Sequence, residues 1–149
     1  MAVAIREAEP GEEEQVLAMY EWLLAPPGSR PPRWDPERAR ERLGEAIASP
    51  RSAILVAEDG GALIAFCTAY VEFNSVRFGR RCWVEDLAVD PGRRSQGVGA
   101  ALLNAAKAWA RGAGATHLEL DSGLARIDAH SFYEREGATR QSYTFGWEL

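Results

Sequence analysis

Residues 83–110, WVEDLAVDPGRRSQGVGAALLNAAKAWA, constrain the fold more than any other part of the chain. An apolar run carrying two adjacent carboxylates enters a Pro-Gly turn, passes through a basic glycine-containing loop and continues as an amphipathic helix. The loop Arg94-Ser95-Gln96-Gly97-Val98-Gly99 sets two glycines at the mouth of that helix. Free backbone N–H groups and the positive end of the helix dipole meet there, so the segment is suited to a phosphate.

The flanking sequence supplies the layers such a unit needs. Residues 3–8 read as a strand ended by Pro10. Val16, Met19, Tyr20 and Leu23 then recur at helical spacing, with Glu12, Glu13 and Glu14 in the first turn where the dipole favours anions. Four prolines between residues 25 and 34 break the helix into an exposed, semi-rigid loop. Asp35-Pro36 is an N-cap followed by a first-turn proline, opening a second helix to about Ser49. Residues 52–58 and 62–73 are apolar runs joined by the turn Asp59-Gly60-Gly61, which predicts a hairpin, and 74–79 is a loop. The next strand, 80–89, leads to the helix from Gly97 to about Arg111, whose buried face should comprise Val98, Ala101, Leu102, Ala105 and Trp109.

A strand over 116–121, reached by a short connection, should lie parallel to 80–89 through a right-handed crossover. Asp128 caps a short helix over 129–136, and the alternation of 140–149 predicts a terminal strand that closes the sheet. The fold class is therefore α/β, an α+β sandwich: a mixed, mostly antiparallel sheet flanked by helices, with a central parallel strand pair forming a ligand cleft.

Composition excludes several alternatives. At 149 residues the chain should be one domain, 1–149, large enough for a sizeable core. A net charge of −5 argues against a nucleic-acid surface, which needs clustered cations. Cys67 and Cys82 lie among apolar strand residues and read as reduced core thiols; no Cys or His spacing suggests a metal site. The N-terminus carries charges where a signal peptide needs an apolar core, and no run reaches membrane-span length, so a cytoplasmic location and no membrane partner are expected.

Two common phosphate loops do not fit. A Walker A loop needs Gly-Lys-Ser/Thr, whereas Gly99 is followed by Ala100, Ala101 and Leu102; a dinucleotide fingerprint needs a third glycine where Leu102 stands. The loop does resemble the Arg/Gln-x-x-Gly-x-Gly/Ala pyrophosphate loop of the GNAT superfamily of acyl-CoA-dependent N-acyltransferases. Val84-Glu85-Asp86-Leu87-Ala88-Val89-Asp90-Pro91 is similar to that family's central strand. Residues 129–138, AHSFYEREGA, are similar to its A-x-x-FYE-x-x-G-F segment, with Ala138 where an aromatic is usual. These motifs cover roughly residues 80–143, and the first half agrees in element order.

The resemblance implies an acetyl-CoA-dependent N-acetyltransferase acting on a primary amine of a small molecule by direct attack in a ternary complex. Acetyl-CoA would be the co-substrate, held by Leu87, Ala88, Val89, by the loop residues Arg94, Ser95, Gln96, Gly97, Val98, Gly99 and Ala100, and by Ser122, with Arg93 adding charge. An alkylamine is protonated at neutral pH and must lose a proton before it attacks. Glu85, where some superfamily members carry a catalytic glutamate, is the leading base, acting through a water. Asp86 is the alternative, although in a regular strand it points to the opposite face and only a bulge would change that.

If the strand splays after Leu87, its backbone N–H is free to hold the oxyanion as the family's does. Tyr133 reads from spacing alone as a core aromatic beside Phe132; the resemblance makes it the proton donor to the coenzyme thiolate. His130 is assigned a structural hydrogen bond, while Arg126 and Asp128 are placed to contact the coenzyme or orient the helix. Acceptor specificity is expected from the Pro-rich loop with Trp22 and Trp34 and from the 74–79 loop, with Glu72 and Asp86 suited to a cationic amine. A protein or peptide N-acetyltransferase and a non-catalytic acyl-CoA sensor are the alternatives, and homodimerisation is left open.

Overall fold

A computed structural model describes residues 2–72 and 75–149. The chain runs β1 (Ala4–Glu7), α1 (Glu13–Leu24), α2 (Pro36–Ala48), β2 (Ser52–Asp59), β3 (Ala62–Val71), β4 (Arg81–Val89), a 3-10 turn (Pro91–Arg93), α3 (Val98–Gly112), β5 (His117–Glu119) and α4 (Ile127–Arg135). The strands form one sheet in the order β1-β2-β3-β4-β5, antiparallel except for the β4–β5 pair. This is the expected mixed, mostly antiparallel sheet with one parallel pair. Phe73 and Asn74, the expected end of β3 and start of the following loop, lie outside the described residues.

The sheet separates two apolar layers. On one face, Leu55, Cys67, Cys82 and Val84 pack with Val98, Leu102, Ala106 and Ala110 of α3. On the other, Val56, Phe66 and Ala88 pack with Val16 and Met19 of α1 and Leu43 of α2. Phe66, Val56 and Val16 are fully buried, a contribution of about 1.5–3 kcal/mol each. Asp35 caps α2 as expected, its Oδ1 accepting the Glu37 N–H at 3.0 Å with Pro36 in the first turn. Such a cap contributes about 1 kcal/mol.

Four details depart from the sequence expectation. Ala101 is exposed, and the buried residues of α3 are Val98, Leu102, Leu103, Ala106 and Ala110. The i, i+4 row from Val98 faces the sheet, so the stripe is centred about half a turn's width away from Ala101. Asp128 is not the cap of α4: the helix starts at Ile127, and the carboxylate lies inside the first turn, where it faces the dipole. β5 spans three residues rather than 116–121.

The fourth is residues 140–149, which do not close the sheet. They form no helix or strand and are solvent-exposed, and among the described residues no backbone group of 139–149 pairs with another backbone group. Alternation specifies a strand with one apolar face but not the edge that receives it, and β5 is too short to template a ten-residue partner within the chain.

Candidate active site

A bulge in β4 builds the site. Thr68 pairs with Asp86 and the next β3 residue, Ala69, pairs with Val84, so Glu85 is the extra residue. Before the bulge, Cys82 and Val84 face α3; after it, Leu87 and Val89 do. Asp86 and Ala88 are thereby turned to the α1 face, correcting the regular-strand expectation that Asp86 opposes Glu85. Two carboxylates from adjacent residues now line one cleft.

Their surroundings differ. Asp86 is half-buried: its Oδ2 accepts the Tyr20 hydroxyl at 2.6 Å and the Thr68 hydroxyl at 3.3 Å, and its N–H donates to Thr68 Oγ1 at 3.1 Å. Burial raises its pKa, opposed by those hydrogen bonds and by the Arg126 charge. Glu85 is exposed at the cleft wall, with Trp83 Nε1 donating to its Oε2 at 2.9 Å. Partial desolvation raises its pKa first and the Asp86 charge second. Raised carboxyl pKa values beside an open cleft are the condition for proton transfer near neutral pH.

The cleft, about 280 Å³, opens where β4 and β5 part. Parallel pairing ends at Trp83 with Glu119, so the splay begins before Glu85 rather than after Leu87. The Asp86 N–H is directed to β3, and strand alternation turns the next N–H, that of Leu87, into the gap. Tyr133 of α4 lines the opposite wall, and burial pushes its phenol up to about 12. Arg126 ties the wall together by donating from Nη2 to the Leu23 carbonyl of α1 at 2.8 Å.

At the mouth of α3, Ser95 (φ 63°) and Gly97 (φ 82°) are both left-handed. Gly97 is the N-cap and supplies no side-chain cap, and the first backbone bond into the helix is Ala101 N–H to its carbonyl at 3.1 Å. The N–H groups of Val98, Gly99 and Ala100 are left for an external anion. Gly99 serves packing: a Cβ there would meet Phe132 Cζ at 3.3 Å and Val89 Cγ2 at 3.7 Å. Ser122, at the other side of the gap, has a buried Oγ with no partner among the described residues. Free N–H groups, an open gap and this hydroxyl fit an extended anionic ligand lying across the strand ends.

Several candidates are placed elsewhere. Arg93 pairs with the buried Asp59 at 2.6 Å and so fixes the β2–β3 turn to the loop, leaving Arg94 exposed as the loop's available cation. Glu72 is paired with Arg81 at 2.9 Å. Residues 75–79 sit at the start of β4, where Phe78 meets His117, and contribute nothing to the cleft lining; the Pro-rich loop does, through Ser29 and Pro31. Trp34 stands behind the lining, 5.9 Å from Tyr20. His130 Nε2 donates to the Gly123 carbonyl at 2.9 Å, the structural bond expected of it. Burial pushes the Cys67 thiol up to about 12 and that of Cys82 to about 11.

Tyr20, Thr68 and Asp121 complete the cleft and its supports but are not singled out by sequence reasoning. Tyr20 had one signal: a hydroxyl on the core-facing stripe of a helix needs a buried partner. Among the described residues no helix is long and apolar enough to cross a membrane, and no group of three or more His, Cys, Asp or Glu could hold a metal ion.

Comparison with known proteins agrees with this fold. The Acetyltransferase (GNAT) family model matches residues 16–138. The uncharacterized N-acetyltransferase YhdJ of Bacillus subtilis (strain 168) is 36% identical over 112 residues, 74% of this chain and 78% of its own. The aminoalkylphosphonate N-acetyltransferase of Salmonella typhimurium (strain LT2) is 29% identical over 111 residues, 74% of this chain and 72% of its own. Among solved structures, AAC(6')-Iy in complex with the bisubstrate analogue CoA-S-monomethyl-acetylneamine superposes with a TM-score of 0.84 at 18% identity, covering 100% of this chain and 99% of that one.

Proposed function

Because the chain belongs to the acetyltransferase (GNAT) family, we propose that it transfers the acetyl group of acetyl-CoA to a primary amine of a small molecule by direct attack within one ternary complex, on a single domain spanning 1–149. The observation that carries this reading is the β4 bulge, which sets Glu85 and Asp86 on one wall of a cleft whose other wall holds Tyr133.

The residues divide the work by environment. Val98, Gly99 and Ala100 N–H groups, with Arg94, hold the pyrophosphate, and the Leu87 N–H holds the thioester oxygen where negative charge develops. Glu85 reaches solvent and has a raised pKa, so it takes the amine proton, through a water. Asp86 has one oxygen already committed to Tyr20 and Thr68, so it draws the ammonium in and fixes its approach.

Tyr133 remains neutral and donates to the departing sulfur. A phenol pushed up to about 12 by burial stays protonated through the neutral range, so its part is hydrogen-bond stabilisation of the thiolate. Cys67 and Cys82, buried with raised pKa values, offer no acyl-accepting thiolate, which favours direct attack over a covalent relay.

A cleft of about 280 Å³ lies at the small end of ligand sites and suits a compact acceptor over a folded protein surface. Relatives include an aminoalkylphosphonate N-acetyltransferase, consistent with such an acceptor. The test is thiol release from acetyl-CoA across small amines, peptides and no acceptor. Release with small amines supports the reading; release with peptides alone transfers it to a peptide acetyltransferase; binding without release makes the chain a sensor.

A further inference from the structure

We propose that the acceptor is a small zwitterion, an amine joined by a short tether to a carboxylate or phosphonate, and that Arg126 holds its anionic end while Glu85 and Asp86 receive the amine. This acceptor class rests on the acetyl transfer proposed above and narrows it. Among the residues that line the cleft, Arg126 is the one cation, and Glu85, Asp86 and Asp121 are the acids. Opposite charges that share a small space attract strongly enough to pair. Here they are held apart. Among the described residues Arg126 makes no ion pair, and its side chain forms one hydrogen bond, from Nη2 to the Leu23 carbonyl at 2.8 Å. Asp86 is held on its own side by Tyr20 and Thr68. Burial raises the pKa of both Asp86 and Tyr133, and the Arg126 charge acts against that rise at each. The guanidinium is thus within electrostatic reach of both while paired with neither.

The cation is fixed before any ligand arrives. A Cβ on Gly28 would meet Arg126 Nη2 at 2.5 Å, so the Pro-rich loop lies against the guanidinium; one on Gly123 would meet Cγ, Cδ and Nε at 3.9 Å, so the stem is packed as well. Holding the Leu23 carbonyl takes one of five N–H donors. A clamp between α1 and α4 needs only that donor, and a neutral side chain could supply it. The charge and the remaining donors are left over, and a planar guanidinium matches a carboxylate or phosphonate through two parallel bonds.

The placement on α4 sets the span. Arg126, Ala129 and Tyr133 follow at i, i+3 and i+7, one stripe along the cleft wall. About 10 Å of axial rise separates Arg126 from the phenol assigned to the coenzyme sulfur, and the small Ala129 leaves the wall between them clear. A compact acceptor in a cleft of about 280 Å³ can reach both ends. A diamine would find the carboxylates but set its second cation beside Arg126, a repulsion that selects against it.

Thiol release from acetyl-CoA with β-alanine, 2-aminoethylphosphonate, β-alaninamide and 1,3-diaminopropane tests the assignment in wild type, Arg126→Met and Arg126→Lys. Methionine keeps an unbranched stem without the charge, and lysine restores the charge without the fork. Wild type should favour the two zwitterions over β-alaninamide in kcat/KM on the order of 10- to 100-fold, the range of a charge-assisted hydrogen bond. Arg126→Met should lose that preference through a raised KM for the zwitterions, with β-alaninamide within twofold, and Arg126→Lys should recover part of it. Calorimetric affinity for acetyl-CoA should be unchanged in both variants.

A wild type that prefers β-alaninamide or 1,3-diaminopropane overturns the proposal and leaves acetyl transfer standing. Variants that slow every acceptor alike make Arg126 a clamp, and variants that weaken acetyl-CoA binding make it a coenzyme contact; either result overturns the anion site. If no acceptor releases thiol, the transfer reading fails, and calorimetry of 2-aminoethylphosphonate with the coenzyme A complex decides the site separately. Binding that is lost in Arg126→Met upholds it; no binding, or binding that the variant keeps, overturns it.

Discussion

Replacing Gly97 and Gly99 separately by alanine distinguishes two glycines that look equivalent in sequence. Gly97 has φ 82° and ψ 3°, and an added Cβ would meet nothing within 4 Å. Gly97→Ala is thus a pure backbone perturbation: about 1–2 kcal/mol of left-handed strain, less about 0.4–1 kcal/mol from restricting the unfolded chain. The net loss of roughly 0.5–1.5 kcal/mol should lower Tm by about 1–6 °C in a chain of this length. If the peptide rotates to relieve the strain, the Val98 N–H turns out of the anion cradle. Losing one charge-assisted hydrogen bond, about 1.5–3 kcal/mol, weakens acetyl-CoA binding on the order of 10- to 100-fold.

Gly99→Ala behaves differently. Its φ is not positive, helix propensity favours alanine by up to about 1 kcal/mol, and the opposing term is the 3.3 Å approach to Phe132 Cζ, which a shift of a few tenths of an ångström relieves. Its stability should stay within about 1 kcal/mol of wild type, with coenzyme affinity nearly unchanged. Thermal melts and calorimetry with acetyl-CoA measure both variants. A Gly97→Ala protein with wild-type stability and wild-type affinity would refute the cradle.

Three further outcomes are expected. The folded pKa of Asp86 is raised, so its contribution to stability is fully present below the unfolded value and is lost as pH rises through the folded one. Asp86→Asn should accordingly raise Tm more at pH 8 than at pH 4 while turnover falls; the opposite pH trend in melting would show the Tyr20 hydrogen bond outweighing desolvation. Tyr133→Phe should lower kcat on the order of 100-fold, with calorimetric affinity for acetyl-CoA within twofold, and a wild-type rate would return Tyr133 to the core. Arg93→Ala strands the buried Asp59 carboxylate and should cost about 2 kcal/mol in urea denaturation, yet leave coenzyme affinity within twofold; a large loss of affinity would put Arg93 back in the loop's anion site.

What the sequence makes legible follows the range of the interactions involved. The hairpin, the capped α2 and the glycine loop before α3 are written in spacings of a few residues, and they stand where those spacings put them. The face of Asp86 is not legible, because it depends on one unpaired residue in the β3–β4 register, which pattern alone does not encode. Tyr20 and Thr68 join the site across separations of 66 and 18 residues. Arg93 and Glu72 read as candidate charges until their partners, Asp59 and Arg81, are brought to them by the fold. The alternation of 140–149 reads as a strand with one apolar face, yet no strand forms there, because pairing needs a sheet edge that local pattern does not supply.

The assignment of roles within the cleft is tested most directly by the pH dependence of amine-dependent thiol release for wild type and Glu85→Gln. Glu85 sits in the cleft with a raised pKa, and the amine is most protonated at low pH, so the variant's deficit should widen as pH falls and shrink as the free amine becomes abundant. A deficit that is the same at every pH, or no deficit at all, would contradict Glu85 as the base that deprotonates the attacking amine.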